Sequence, residues 1–362
     1  MTRGVALQTY KSGQQAMLAE TGAGNTWETK MLKKILLQTA ALALVVSAST
    51  AALALEKITL MVGGMEKHIY LPAKLTEQLG YFKEEGLDVE LLNEPSGVDA
   101  EDEMLAGAVQ GVVGFYDHCV DLQSKGKFAM SVVQFSQAPG EVELVSTKHP
   151  EIKSFADLKG KSAGVTGLGS STNFLTMYLE VKNGLTIADV TSVPVGAGQT
   201  FIAAMQQDKI QVGMTTEPTI SRMIKSGDAK VMVDMRTVEL TKAALGGTYP
   251  AASLYMESAY VKKHPEEVQK LANAMVKTLK FINTHSAEEI ADKMPKDYLV
   301  GDRDLYVSGL AAGKGMFTAD GKMPNGGPET VLAVLSTFSK NLKGKTVDLS
   351  KTFTTEFVDK VK

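Results

Sequence analysis

One stretch constrains this chain more than any other: Ser154 to Lys182, SFADLKGKSAGVTGLGSSTNFLTMYLEVK. It reads as a short helix, a turn at Gly160, a buried strand from Ser162 to Val165 and a glycine-rich loop from Thr166 to Gly169. A helix then begins through Ser170, Ser171 and Thr172. Hydroxyls at a helix start satisfy free backbone N–H groups, and that end of the helix carries partial positive charge. Such a loop at the carboxyl end of a strand can cradle an anion. The same hydroxyls also serve as a plain cap, and the residues alone leave both readings open.

Nucleotide motifs fail here. Gly167-Leu168-Gly169 begins a G-x-G, but Thr172 stands where the dinucleotide fingerprint needs its third glycine. Gly160-Lys161-Ser162 and Gly344-Lys345-Thr346 each end like a P-loop, yet Phe155 and Ser339 occupy the opening glycine positions.

The front of the chain has a different character. Residues 1–30 are polar and without period, and read as an extension upstream of the true start at Met31. Lys33 and Lys34 precede an apolar run from Ile35 to Val46, small residues and Ala52-Leu53-Ala54. That is the pattern of a secretory signal peptide over 31–54, and the expected mature chain runs from Leu55 to Lys362. Cys119 is the single cysteine, far from the cleavage site, so neither an intramolecular disulfide nor a lipid-modified cysteine there is expected. Removing 1–54 leaves 33 basic against 39 acidic residues, a mixed and mildly acidic surface that gives no reason to expect nucleic acid as a partner.

The mature chain alternates short apolar runs with helical patterns, as an α/β protein of two lobes would. Strands are expected at Ile58–Val62, Leu87–Leu92 and Gly111–Phe115, and helices at Leu71–Leu79 and from Pro95-Ser96-Gly97 through Met104, Leu105 and Val109. A long helix is expected from His264-Pro265 through Ile282 and a last one over Glu329–Leu342. A loose repeat links Ser96–Val112 with Gly196–Gly213: a glycine-rich loop, a helix, then a strand containing glycine.

Residues 80–90 read GYFKEEGLDVE, and FADLKGK (155–161), GSST (169–172) and TEP (216–218) follow in order. With these motifs the chain, over 56–345, resembles the periplasmic substrate-binding proteins of ABC importers of the nitrate, sulfonate, taurine and thiamine-precursor type, the NMT-like family. The resemblance implies a two-lobed type II periplasmic-binding fold, each lobe a mainly parallel sheet flanked by helices, with the ligand between them. It places lobe I at 55–145 and 250–362 and lobe II at 146–249, with hinge segments near Glu141–Ser146 and Tyr249–Tyr255. It also implies a periplasmic monomer, not a lipoprotein, that hands its ligand to ABC permease subunits in the inner membrane.

Ligand contacts are then expected at the carboxyl ends of strands. The candidates are Gly64, His68, Tyr116, Asp117, His118, Ser136, Gly169, Ser170, Ser171, Thr172, Thr216, Glu217 and Tyr249. Ser170 to Thr172 match the family position for a ligand's charged or polar head. Glu217 is expected to accept from a ligand N–H or a serine, or else to stand as a helix-start carboxylate before Pro218 at the first helical position. Tyr116, Asp117 and His118 replace the small residues of many relatives with a ring, a carboxylate and an imidazole, which favours a ligand larger than nitrate or taurine. Tyr116 is expected to stack on it, with His68 or His118 donating to an anion.

No catalytic constellation, metal site or cofactor is expected. The five histidines show no H-x-H or HExxH pairing, no G-x-S-x-G elbow is present, and Cys119 reads as buried and inert. The expected ligand is a small organic anion. The alternatives are a neutral heteroaromatic such as a pyrimidine precursor of thiamine, a sensory binding protein, and an enzyme of the related pyrimidine-synthesising branch, whose members are intracellular and carry a cysteine-rich motif.

Overall fold

A computed structural model describes residues 55–299 and 301–362, and Leu55–Lys362 form one unit. The expected extension and signal peptide lie outside the described residues.

The chain begins with β1 (Glu56–Val62), α1 (Leu71–Gln78), α2 (Tyr81–Glu84), β2 (Leu87–Asn93), α3 (Gly97–Leu105), β3 (Gly111–Phe115), α4 (Asp117–Ser124) and β4 (Ala129–Gln134). It continues through β5 (Glu141–Ser146), β6 (Ser162–Val165), α5 (Ser171–Lys182), β7 (Thr191–Pro194), α6 (Gln199–Gln206), β8 (Val212–Thr216), α7 (Thr219–Ser226), β9 (Ala229–Asp234) and α8 (Val238–Leu245). β10 (Ala252–Glu257) leads into α9 (Ser258–Lys263), α10 (Pro265–Thr284), α11 (Ala287–Ala291), α12 (Arg303–Gly313) and α13 (Gly327–Phe338).

Two five-stranded sheets result, ordered β2-β1-β3-β10-β4 and β7-β6-β8-β5-β9. The construction is the same in both. Three parallel strands come first, and the fourth position holds an antiparallel strand, β10 in one sheet and β5 in the other. Each antiparallel strand is the one arriving from the other sheet. Its amino end therefore starts beside the carboxyl ends of its parallel neighbours.

Local chemistry explains the boundaries. Ser96 caps α3 by accepting from the Asp99 N–H, and Pro265 at the first turn of α10 follows the rule that proline costs nothing where the N–H is unpaired. Ser154 and Asp157 form a capping box over the short helical turn Phe155–Leu158. α10 buries Val268, Leu271, Met275, Leu279 and Ile282, the apolar stripe that the sequence predicts. α6 and α7 cover the outer face of the second sheet, where Val142 and Leu144 meet Phe201, Met205, Ile220 and Met223.

Several expectations need correction. Glu141–Ser146 is not a linker but an interior strand, paired on both sides. The chain crosses between the sheets at 135–140 and 235–251. Asp117 and His118 lie in the first turn of α4, not on a loop. α3 stops at Leu105, so Val109 is buried outside it, and the last helix ends at Phe338, four residues early. Pro218 caps α7 from outside instead of occupying its first turn.

Candidate functional site

An open cleft of about 410 Å³ lies where the loops after β1 and β2 meet the loop after β7. Gly64, Glu66, Lys67, Asn93 and Pro95 line it from one sheet, Gly196, Ala197 and Thr200 from the other, with Asp297 and Tyr298 at one side. Lys67 is its most unusual residue, only 4 % exposed. Its Nζ curls back to donate to the Gly63 carbonyl at 2.5 Å and the Pro95 carbonyl at 3.1 Å. Gly64 makes this possible: its φ is +117°, and a Cβ there would fall 2.3 Å from the lysine's Cε. Burial pulls the Lys67 pKa down to about 8 against the raising influence of Glu141, Glu66 and Asp99.

Two buried acids outside the cleft lining lie near each other, and one of them, Glu141, is near Lys67. Asp117, at the start of α4 and fully buried, accepts from the Ser171 hydroxyl at 2.8 Å and the Tyr249 hydroxyl at 2.8 Å. Burial pushes its pKa up, while His118, Tyr249 and Ser171 oppose that shift. Glu141, 2 % exposed at the amino end of β5, has its Oε2 without a hydrogen-bond partner. Burial, with Asp117 nearby, raises its pKa well above the usual carboxylate range. Directly across the ladder, Thr216 presents a second unpartnered buried oxygen, Oγ1. Unsatisfied buried polar atoms are costly, so each calls for a partner.

The loop over 166–172 is largely self-satisfied. The hydroxyls of Thr166, Ser170 and Thr172 bond among themselves at 2.8–3.0 Å, and the Ser170 hydroxyl also donates to the Gly167 carbonyl. Gly169 has φ +88° and donates its N–H to Asn173. Only Ser171 reaches out of this network, toward Asp117. Gly167 itself lies against Ser96, whose Oγ would be 2.7 Å from any Cβ at 167, so the loops of the two sheets touch here.

The remaining predicted residues lie elsewhere. Tyr116 packs edge-on to Phe353 and pairs its hydroxyl with Thr352, which commits the ring to the C-terminal segment and leaves it no cleft face for stacking. His118 bonds Glu101 through Nδ1 at 2.6 Å, deep in the first sheet's helical layer, and its pKa stands at about 8 because Glu101, Asp117 and Asp121 outweigh burial. His68 lies edge-on to Tyr306 with both ring nitrogens unpartnered, and burial drops its pKa to about 3. A neutral His68 still carries one N–H, and neither ring nitrogen is used within the chain. Glu217 is paired with Arg236 at 3.0 Å and accepts from the Ser221 N–H, so its carboxylate is already spoken for. Ser136 accepts from the Ala252 N–H where the chain crosses between sheets.

A family profile described as NMT1/THI5 like matches residues 70–289, well over half of the chain. The chain belongs to the NMT1/THI5-like family. A solved structure of a Bordetella bronchiseptica RB50 protein is 36 % identical, covering 84 % of this chain and 96 % of its own, with a TM-score of 0.81. The alkanesulfonate-binding protein SsuA of Xanthomonas axonopodis pv. citri shares the fold at 14 % identity and a TM-score of 0.65, over 82 % of this chain and 98 % of its own. A 4-amino-5-hydroxymethyl-2-methylpyrimidine phosphate synthase of Saccharomyces cerevisiae, THI11, is 25 % identical over 63 % of this chain and 67 % of its own.

In this NMT1/THI5-like chain the sequence reading misses Lys67, Glu141 and Arg236. Glu141 and Glu143 had a visible signal. They alternate with Val142 and Leu144 in a strand that the two-sided apolar rule would fill with hydrophobics, and glutamate there needs a reason.

Proposed function

We propose that this protein is a receptor that binds a small molecule between its two sheets and delivers it to an ABC importer. On this reading the first lobe carries β1–β4, β10 and the C-terminal helices, and the second carries β5–β9. The two crossing segments serve as the hinge on which the cleft opens and closes. The chain is exported, with a new amino terminus at Leu55, and works as a monomer without catalysis. The supporting observation against an enzyme is Cys119, its only cysteine, which is buried, its thiol pushed well up by that burial. Among the described residues no helix is long and apolar enough to cross a membrane.

For the ligand, the bare Oε2 of Glu141 carries the most weight. A carboxyl with an unused oxygen, next to Asp117 and the Thr216 hydroxyl, suits a ligand that brings N–H donors, such as an amino-substituted heteroaromatic or a small amidine. The relation to pyrimidine phosphate synthases fits a nitrogen heterocycle. An organic anion is the second reading, because the Lys67 ammonium lines the cleft. Titration calorimetry with aminopyrimidines and alkanesulfonates separates the two. Heat from aminopyrimidines, weakened about tenfold or more by Glu141→Gln, supports the donor reading. Heat from sulfonates alone, lost in Lys67→Met, overturns it.

A further inference from the structure

The helix α5 has twelve residues, and its amino end is the place where the family resemblance puts the ligand's charged or polar head. In the folded protein the first hydroxyl of that helix, Ser171, is already given to an acid of the chain's own. Asp117, carried by the other sheet's layer, presents Oδ1 to the Ser171 hydroxyl and Oδ2 to the Tyr249 hydroxyl, both at 2.8 Å. The neighbouring hydroxyls of Ser170 and Thr172 are turned into their own loop and offer nothing more. Independently of the helix end, Glu141 adds a second buried acid beside Asp117, with Oε2 unpartnered.

We propose that Asp117 is a specificity-determining residue for the ligand, a built-in anion behind the cleft lining that takes the Ser171 and Tyr249 hydroxyls and excludes anionic ligands from them. This rests on the receptor reading above, but its test does not need the natural ligand. An incoming sulfonate would have to share two hydroxyl donors with a fixed carboxylate in a site of low dielectric, where like charges repel strongly. A ligand bringing N–H groups or positive charge meets the opposite situation. It finds Asp117 held in place by Ser171 and Tyr249, and Glu141 free to accept. Removing the Asp117 charge therefore turns this place toward anions, since the Ser171 and Tyr249 hydroxyls lose their acceptor together.

The test titrates methanesulfonate into the purified wild-type protein and into Asp117→Ser and Asp117→Asn by calorimetry, with circular dichroism to verify folding. Asp117→Asn keeps the side chain's volume and supplies the measurement should the smaller residue unfold the chain. Expected is saturable binding at least ~100-fold tighter in either variant than in wild type, abolished when Ser171→Ala is added. Two results overturn the proposal: a folded variant that gains no anion binding, or wild type that binds methanesulfonate as tightly as the variants. Failure of the receptor reading looks different. Wild type would then bind no candidate ligand at all, while the gain in the variants would stand.

Discussion

Glu143 sits two residues after Glu141 on the same face of β5, fully buried, accepting from the Thr176 hydroxyl at 3.0 Å with Oε1 unpartnered. Burial raises its pKa to about 8, and Glu180 nearby adds to the rise. A carboxyl that holds its proton more tightly folded than unfolded stabilises the fold below its unfolded pKa. That stability is lost as pH rises through the folded pKa. His118, raised to about 8, works in the same direction, while His68, lowered to about 3, does the reverse and loses stability as pH falls below its ordinary value. The melting temperature should therefore decline between about pH 6 and pH 9, with a free-energy slope on the order of 1 kcal/mol per pH unit for each proton released. Glu143→Gln should flatten that decline. A variant with the wild-type slope would show that Glu143 titrates normally.

These residues also mark how far the sequence could be read. The hydroxyls at Ser170–Thr172 are legible as a helix start, and α5 begins at Ser171. Their partners were not. Asp117 is 54 positions away, and only the folded chain brings its carboxylate to Ser171. Tyr116 next door reads as a stacking ring, yet neighbours on a helix point to different sides, and this one faces Thr352 and Phe353.

At the scale of elements, strands were the easier part because short apolar runs between glycines leave little choice of period. β3 spans Gly111–Phe115 and β6 Ser162–Val165, the same ranges the pattern predicts. The resemblance places one hinge segment near Glu141–Ser146, whereas that backbone is β5, paired with both β8 and β9. The true crossings are stitched together by Gln134, whose Nε2 donates to the carbonyls of Ser136, Ala251 and Ala252 at 2.8, 3.2 and 3.0 Å. Gln134→Ala removes all three bonds from a buried site and should cost about 1–3 kcal/mol, read as a lower denaturation midpoint. No loss would mean that the two crossings hold without it. Ser136→Ala, which frees the Ala252 N–H, should cost about 1 kcal/mol while leaving ligand affinity within twofold.

For the whole molecule, the doubled sheet design and the family match both follow from features spread along the chain, so they survive in the sequence. The ligand does not, because the acids, the lysine and the hydroxyls proposed to meet it come from segments far apart in the chain. Two lobes joined by two crossings predict that ligand binding compacts the protein, so solution scattering should show a smaller radius of gyration at saturating ligand. An unchanged radius would argue for a rigid cleft.

The most direct test of the receptor reading is a thermal-shift panel on protein stripped of carried-over ligand by unfolding and refolding, covering aminopyrimidines, amidines, alkanesulfonates and aromatic carboxylates. A ligand at about 1,000 times its Kd adds roughly 4 kcal/mol to stability, and at about 2 °C per kcal/mol for a chain of this size the shift is near 8 °C. The structure predicts such a shift with N–H-bearing heterocycles or amidines and its loss in Glu141→Gln. A shift confined to sulfonates or carboxylates, unaffected by Glu141→Gln, would contradict it.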